Sequence, residues 1–173
     1  MARTTTKGKH MAGEIRDARP DDAVAIAAIW NRVIRETTAT FTTEEKGEGA
    51  LRTWLATQQA AGRPVLVLDD GGCVGFATWG RFRGGPGYAH VAEITVYLAE
   101  DAQGAGGGRR LLTALEERAQ TAGLERLIAG ISGENEAAIA FHRRCGFEEA
   151  GRIPGAGRKF DRLLDLVLMH KPL

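Results

Sequence analysis

The stretch that most restricts the fold of this 173-residue chain runs from Glu93 to Leu115. It contains the β-branched run EITVYL, a short acidic connection, the glycine-rich turn QGAGGG and the amphipathic helical start RRLLTAL. Glycine allows positive φ values and close approach of a ligand to the backbone, and a helix N-terminus offers unpaired N–H groups. The order of strand, glycine turn and helix therefore predicts a phosphate-binding site, although a flexible glycine loop before a helix would show the same pattern.

Charge balance and cysteine content exclude several classes of protein. The chain has 23 Lys and Arg against 22 Asp and Glu, and this balance indicates neither a nucleic acid nor a membrane surface as a partner. Cys73 and Cys145 form no Cys-x-x-Cys motif, so we expect no disulfide framework, no metal site and a reducing compartment, the cytoplasm. Apolar runs are far shorter than the roughly 20 residues of a membrane span.

Strands and helices are predicted in the order β-α-α-β-β-β-α-β-α-β-β. Hairpin signals in the first half and strand–helix alternation in the second indicate an α/β fold with a mixed sheet. The polar start MARTTTKGKHM leads us to expect a leader or disordered tail over 1–12 and a single domain over 13–173. The predicted strands are 14–18, 65–68, 73–79, 91–98, 126–131, 147–153 and 163–169. The first helix is predicted to start at Pro20-Asp21-Asp22, with its apolar positions over 26–34. The other predicted helices are 43–61, 109–122 and 136–145, with loops over 80–90 and 155–162.

Two separated motifs resemble those of the GNAT superfamily of N-acetyltransferases. Gln103-x-x-Gly106-x-Gly108 follows the strand TVYL, as the acetyl-CoA motif does in that family. Asn135-x-x-Ala138-x-x-Phe141-His142 then leads to the Cys-Gly-Phe run that ends the next helix. The resemblance spans about residues 14 to 170 and implies a mixed, mostly antiparallel sheet of six to seven strands flanked by about four helices. The runs AEITVYL and GRKFDRLLDLVLM look like its phosphinothricin and methionine sulfoximine acetyltransferase branch.

The resemblance implies acetyl-CoA as the co-substrate. It pairs the backbone near Val96 with the pantetheine arm, places the pyrophosphate on the glycine turn and bonds the pantetheine amide to Asn135. The residues alone also allow Asn135 to be an ordinary helix N-cap. The full set of expected cofactor-binding residues is Val96, Tyr97, Leu98, Gln103, Gly104, Ala105, Gly106, Gly107, Gly108, Arg109 and Asn135.

Glu93 and His142 are the candidate catalytic residues. Acetyl transfer to an amine needs a base for the ammonium proton and an acid for the departing thiolate. Glu93 lies within an apolar strand, where partial burial would raise its pKa into a range that suits a base, unless it simply faces solvent. His142 stands where many family members carry a tyrosine thought to act as the acid, and it can equally be a packing residue. A cysteine acyl-enzyme is not expected.

An amino-acid acceptor carries a carboxylate that an arginine fork recognises well. We expect Arg83 to bind it, with Arg81 as the second candidate, although arginines in loops are often only solvated. Tyr88 and Phe41 would line the pocket. Lys159 would close it, from a neighbouring subunit if the homodimer implied by the branch resemblance forms.

The function expected is direct acetyl transfer to the α-amino group of a small amino-acid analogue such as phosphinothricin, methionine sulfoximine or methionine sulfone. A polyamine, an aminoglycoside or a protein N-terminus remains open as the acceptor. Two alternatives from other classes are a CoA-binding sensor without turnover and a nucleotide-binding regulatory domain. Acceptor screening by CoA release separates the first from an enzyme, and titration with nucleotides and CoA tests the second.

Overall fold

The computed structural model describes residues 13–173, so the expectation for 1–12 lies outside the described residues. The predicted order of elements is confirmed, with seven strands and four helices. The strands are β1 Glu14–Asp17, β2 Val65–Asp69, β3 Cys73–Arg81, β4 Val91–Leu98, β5 Arg126–Ser132, β6 Glu148–Lys159 and β7 Arg162–Pro172. The helices are α1 Ala23–Glu36, α2 Glu48–Ala60, α3 Gly107–Thr121 and α4 Glu136–Arg144.

The sheet has the strand order β1-β2-β3-β4-β5-β7-β6, and β4 with β5 is its one parallel pair within residues 13–173. Its two faces bury separate apolar clusters. On one face, α1 and α2 pack Ile26 and Leu51 against Phe76 of β3. On the other face, α3 and α4 pack against the sheet, and Leu111 of α3 and Leu127 of β5 belong to this cluster. Full burial of such a side chain stabilises the fold by roughly 1.5–3 kcal/mol, so both faces hold the sheet in place.

Alternation along the central strands decides which side chains face which helices. Ala92 and Ile94 of β4 belong to the α3–α4 cluster, whereas Tyr97 belongs to the α1–α2 cluster. Successive residues of a strand point to opposite faces. Glu93 therefore points to the α1–α2 face, together with Tyr97.

β4 and β5 separate partway along their length. They pair from Val91 with Arg126 to Glu93 with Ile128, and the pairing ends there. Beyond this point β4 continues to Leu98 while β5 remains paired with β7. The second half of β4 therefore leaves a gap beside it in the middle of the sheet. On that side, its backbone groups pair with no strand of the described residues.

The second helix starts later than predicted. A start near residue 43 was wrong, because α2 begins at Glu48. Asn31 of α1 holds the backbone of Lys46 from both sides: its Nδ2 donates to the Lys46 carbonyl at 2.9 Å, and its Oδ1 accepts from the Lys46 N–H at 2.7 Å. This long-range clamp fixes the segment outside the helix, and Gly47 becomes the N-cap residue.

The glycine-rich tracts contain more strand than predicted. The loop expected from residue 80 starts later, because Gly80 and Arg81 continue β3 and pair with β4. The separator expected over 155–162 is largely a paired hairpin, and its tight turn consists of Phe160 and Asp161, at φ 50° and 58°. Two central residues with positive φ match the right-handed twist of a hairpin. A two-residue turn is therefore enough to connect β6 to β7.

Candidate active site

The glycine turn has the geometry that its sequence predicted. Gly104 and Gly106 take φ values of 76° and 83°, which residues with a side chain adopt at a cost. Helix α3 starts at Gly107, so the N–H groups of its first turn have no partner within the helix and its positive dipole end faces the turn. Arg109 is exposed at this end. This arrangement can bind a phosphate group.

Close packing beneath the turn fixes its position against β4. A Cβ atom on Gly108 would lie 3.5 Å from Cδ1 of Leu98 and 3.5 Å from Cζ of Phe141. A Cβ atom on Gly75 of β3 would lie 2.3 Å from Cδ2 of Leu98. Leu98 is thus held between two positions that lack side chains. The end of β4 and helix α4 therefore both pack against the start of α3, directly after the turn.

Asn135 is the N-cap residue of α4. Its Oδ1 accepts a hydrogen bond from the N–H of Ala138 at 3.0 Å, so the structural role that its sequence allowed is present. The helix it starts lies at the end of β5, across the gap from Val96 and Leu98. The contact of Asn135 with pantetheine stays a prediction.

Glu93 is the last residue of β4 paired with β5, and its carboxyl group leans toward β5. A Cβ atom on Gly130 of β5 would lie 2.9 Å from Oε1 of Glu93. The side chain is accessible to solvent, yet the protein around the carboxyl group desolvates it enough to raise its pKa. An accessible carboxylate with a raised pKa can accept a proton from a substrate near neutral pH.

His142 lies on the inner face of α4 and is buried. Its Nδ1 donates to the carbonyl of Ala138 at 2.8 Å, and its ring makes edge contacts with Phe141 and Phe147. Burial lowers its pKa. The neutral ring therefore carries its proton on Nδ1 and a lone pair on Nε2. The acid role stays a prediction, and it requires Nε2 to take up a proton first.

The threonine-rich segment 37–43 contacts the β6–β7 hairpin. Nζ of Lys159 donates to the carbonyls of Thr37 and Thr40, at 2.6 and 2.8 Å. The ring of Phe41 rests on Gly157, where a Cβ atom would lie 2.1 Å from Cδ2 of Phe41. Lys159 is buried and desolvation lowers its pKa. These contacts connect the segment after α1 to the β6–β7 hairpin at one edge of the sheet.

Tyr97 connects this segment to the Glu93 face. Its pKa is raised by desolvation, against the opposing effect of a hydrogen bond with Thr40. Its ring packs against Trp30 and Phe76, with centroids 6.2 and 5.8 Å apart. Segment 37–43 therefore lies over the face to which Glu93 points. Phe41 and Lys159 border this side of the sheet, and their roles in an acceptor pocket stay a prediction.

Arg81, Arg83 and Tyr88 line a different cavity, of about 520 Å³, at the end of the sheet where β3 stops and β4 starts. Arg81 pairs with Ala92, so it points toward the α3 side and away from the Glu93 face. Arg63 also lines this cavity and was not predicted from the sequence. None of these three arginines forms an ion pair with another residue of 13–173.

Gly80 connects this cavity to the strand β4, which carries Glu93. It lines the cavity and is the direct partner of Glu93 in the β3–β4 ladder. No role was predicted for Gly80 or Gly130, although a glycine inside a strand often marks close approach of a backbone or ligand. That signal would have identified both positions.

The part of the chain that the structure describes lacks two further features. None of its helices is long and apolar enough to cross a membrane. No three His, Cys, Asp or Glu side chains between residues 13 and 173 lie close enough together to hold a metal ion.

Comparison with known proteins identifies the family. Residues 26–147 match the acetyltransferase (GNAT) family. The chain is 39% identical over 162 residues to the L-methionine sulfoximine/L-methionine sulfone acetyltransferase of Pseudomonas aeruginosa, covering 92% of this chain and 94% of that protein.

Solved structures agree with the sequence match. A ribosomal-protein-alanine N-acetyltransferase from Brucella melitensis superposes with a TM-score of 0.90 at 41% identity, covering 92% of this chain and 99% of the other. A phosphinothricin acetyltransferase from Sinorhizobium meliloti in complex with acetyl-CoA gives a TM-score of 0.89 at 32% identity, covering 94% and 89%. The gap between β4 and β5, the glycine turn and these matches lead to one conclusion: the chain belongs to the GNAT family and is an N-acetyltransferase.

Proposed function

We propose that this enzyme transfers the acetyl group of acetyl-CoA to the α-amino group of a small amino-acid analogue, such as methionine sulfoximine, methionine sulfone or phosphinothricin. The observation that carries the proposal is the placement of the Glu93 carboxylate at the point where β4 and β5 separate. A base at this point lies beside the gap in the sheet and faces the α1–α2 side. The names of the relatives in Pseudomonas aeruginosa and Sinorhizobium meliloti support the acceptor class.

Acetyl-CoA fits the features around the gap and supplies the acetyl group as a thioester. The unpaired N–H groups after Gly106 would hold the pyrophosphate, with Arg109 adding charge. The backbone of β4 from Val96 to Leu98 has free groups that would pair with the pantetheine arm as an added strand. The side-chain amide of Asn135 would bond the same arm. The proposed contact residues are those predicted from the sequence.

Glu93 acts on the acceptor as the general base. An α-amino group is largely protonated at neutral pH and must lose a proton before it can attack a carbonyl carbon. The carboxylate of Glu93 accepts this proton directly or through one water molecule. Its raised pKa brings it closer to the operating pH and so improves its efficiency as a base.

The departing sulfur needs a proton, and His142 is the proposed donor. Its Nδ1 proton is held by the Ala138 carbonyl, so Nε2 first takes up a proton from water and then passes that proton to the sulfur. Because burial lowers the pKa of His142, its protonated form is a strong donor.

Transfer is proposed to be direct, with no cysteine acyl-enzyme. A thiolate is the nucleophilic form of cysteine. Desolvation raises the pKa of Cys73 to about 11 and also raises that of Cys145. Both thiols therefore stay protonated at neutral pH, which makes them poor nucleophiles.

A protein N-terminus is the second candidate acceptor. The similarity to the ribosomal-protein-alanine N-acetyltransferase from Brucella melitensis favours it. An N-terminal alanine presents the same α-amino group but no adjacent carboxylate. The three arginines at the end of β3 and β4 favour an acceptor that carries a carboxylate, because guanidinium groups bind carboxylates well.

We further propose a homodimer located in the cytoplasm that works without a metal. Direct transfer by Glu93 and His142 needs no metal ion. In a homodimer, the β6–β7 hairpin near Lys159 would border the neighbouring acceptor site. Sedimentation of the purified protein tests the dimer.

CoA release measured with a panel of acceptors tests the proposed function. The panel contains methionine sulfone, methionine sulfoximine, phosphinothricin, a polyamine, an aminoglycoside and a peptide with N-terminal alanine. The highest kcat/KM is expected for one of the amino-acid analogues. Preference for the peptide would establish the second candidate, and acetyl-CoA binding without turnover of any acceptor would indicate a sensor.

A further inference from the structure

The base Glu93 lies between two strand positions that have no side chain. Gly80 of β3 pairs directly with Glu93, and side chains of directly paired residues lie on the same face of a sheet. Gly130 lies on β5, two residues beyond the partner of Glu93 on that strand. The carboxylate thus has a position without a side chain on each of the two neighbouring strands.

The two glycines are not equivalent. A Cβ atom on Gly130 would lie 2.9 Å from Oε1 of Glu93, so the carboxyl group fills the space over β5. A Cβ atom on Gly80 would meet nothing within 4 Å. The carboxyl group leans away from β3, and the space over Gly80 is left open beside it.

Positively charged side chains lie near Gly80. Gly80 lines the cavity of about 520 Å³ that also contains Arg63, Arg81 and Arg83. Arg81 points to the α3 side, whereas Nε of Arg63 donates to Oε1 of Gln58 in α2. Arg63 is therefore the arginine on the side of the sheet to which Glu93 points. Among residues 13–173, no Asp or Glu lines this cavity. An α-amino acid presents an ammonium and a carboxylate on neighbouring atoms, so it needs a base and a cation close to one another. Gly80 lies at the junction of the two.

We propose that Gly80 is the specificity-determining position of the acceptor site, and that the α-carbon of the amino-acid acceptor lies over it. The ammonium then faces Glu93, and the carboxylate faces the arginine-lined cavity. A side chain at position 80 would fill the junction and separate these two interactions. This inference rests on the proposed function, since it assigns a place to the acceptor of that reaction.

The test compares Gly80→Ala and Gly80→Val with the wild type, using methionine sulfone and acetyl-CoA as the varied substrates. Gly151→Val is the matched control, because Gly151 is an exposed strand glycine whose Cβ would also meet nothing within 4 Å. Gly80→Val is expected to lower kcat/KM for methionine sulfone at least tenfold, and Gly80→Ala by less. Both variants should keep the wild-type KM for acetyl-CoA and the Tm of the control.

Four outcomes have defined meanings. An unchanged kcat/KM for methionine sulfone in Gly80→Val overturns the inference while leaving the proposed function intact. An equal rise in the KM for methionine sulfone and in the KM for acetyl-CoA also overturns it, because such a rise indicates a general disturbance. If Gly80→Val unfolds, Gly80→Ala and Gly80→Ser decide, and their acceptor kcat/KM must fall below the wild-type value. If the wild-type enzyme acetylates no amino-acid analogue, the proposed function itself has failed.

Discussion

The carboxyl oxygen Oε1 of Glu93 occupies the space that a side chain on Gly130 would need, 2.9 Å from its Cβ position. The carboxyl group of Glu93 can lie over β5 only because residue 130 has no side chain. Leu166 of β7 borders the same position, with its Cδ1 atom 3.5 Å from that Cβ. The direction of the Glu93 carboxylate is therefore set by packing, since Glu93 forms no ion pair with another residue of 13–173.

Gly130→Ala should displace the Glu93 carboxylate and lower kcat by about 10- to 100-fold, because a misplacement near 1 Å has effects of this size. The KM for acetyl-CoA should stay within about twofold of wild type. Steady-state kinetics with Gly151→Ala as the control check this. In the double variant Gly130→Ala/Glu93→Asp, the shorter side chain relieves the contact, so the combined loss should be smaller than the product of the single losses. Simple multiplication of the losses would contradict the contact.

Gly106→Ala tests the pyrophosphate turn. Alanine at a φ of 83° costs about 1–2 kcal/mol, and the strain would distort the N–H groups that start α3. The KM for acetyl-CoA should rise about tenfold or more, with a smaller effect on the acceptor KM. Gly62→Ala is the matched control, because Gly62 has a φ of 66° and lies far along the chain from the turn. A similar rise in the acetyl-CoA KM of both variants would argue against a binding role.

Lys159→Met should destabilise the protein by about 1–3 kcal/mol, because it leaves the carbonyls of Thr37 and Thr40 without their buried donor. The loss of this link should also raise the KM for the amino acid more than that for acetyl-CoA. Denaturant unfolding and steady-state kinetics measure the two effects. Arg158→Met, an exposed neighbour on the same strand, should change neither. Equal stability of the two variants would show that the clamp contributes nothing.

His142→Phe keeps a ring between Phe141 and Phe147 but removes both nitrogens. If Nε2 supplies the proton for the departing sulfur, kcat should fall about 100-fold or more, with both KM values nearly unchanged. The Tm should move little because the ring contacts remain. A kcat within twofold of wild type would assign His142 to packing alone.

The order of elements and the glycine turn follow from local patterns, so the sequence was sufficient to predict them. Apolar periodicity, Gly104 and Gly106 at the turn, and Asn135 at a helix start are all read within a few residues. The start of α2 was missed because the clamp between Asn31 and Lys46 is a tertiary contact. Local propensity does not encode such a contact.

Parts of the site depend on register across strands, which a single sequence does not reveal. Gly80 and Gly130 are distant from each other in the sequence. They lie next to Glu93 only once β3, β4 and β5 are aligned. Arg63 joins the cavity of Arg81 and Arg83 from the turn after α2. Lys159 was expected in the turn between the last two strands, but it belongs to β6 and is buried.

The pH dependence of kcat/KM for methionine sulfone, compared between wild type and Glu93→Gln, tests the central claim most directly. Desolvation raises the pKa of Glu93, so wild-type activity should fall as the pH drops through that raised pKa, because the protonated carboxyl group is no longer a base. Glu93→Gln should lose about 100-fold or more in activity near neutral pH and should recover part of it at high pH, where the amine loses its own proton. An enzyme with glutamine at position 93 that kept wild-type activity and the same acid limb would contradict the assignment of Glu93 as the base.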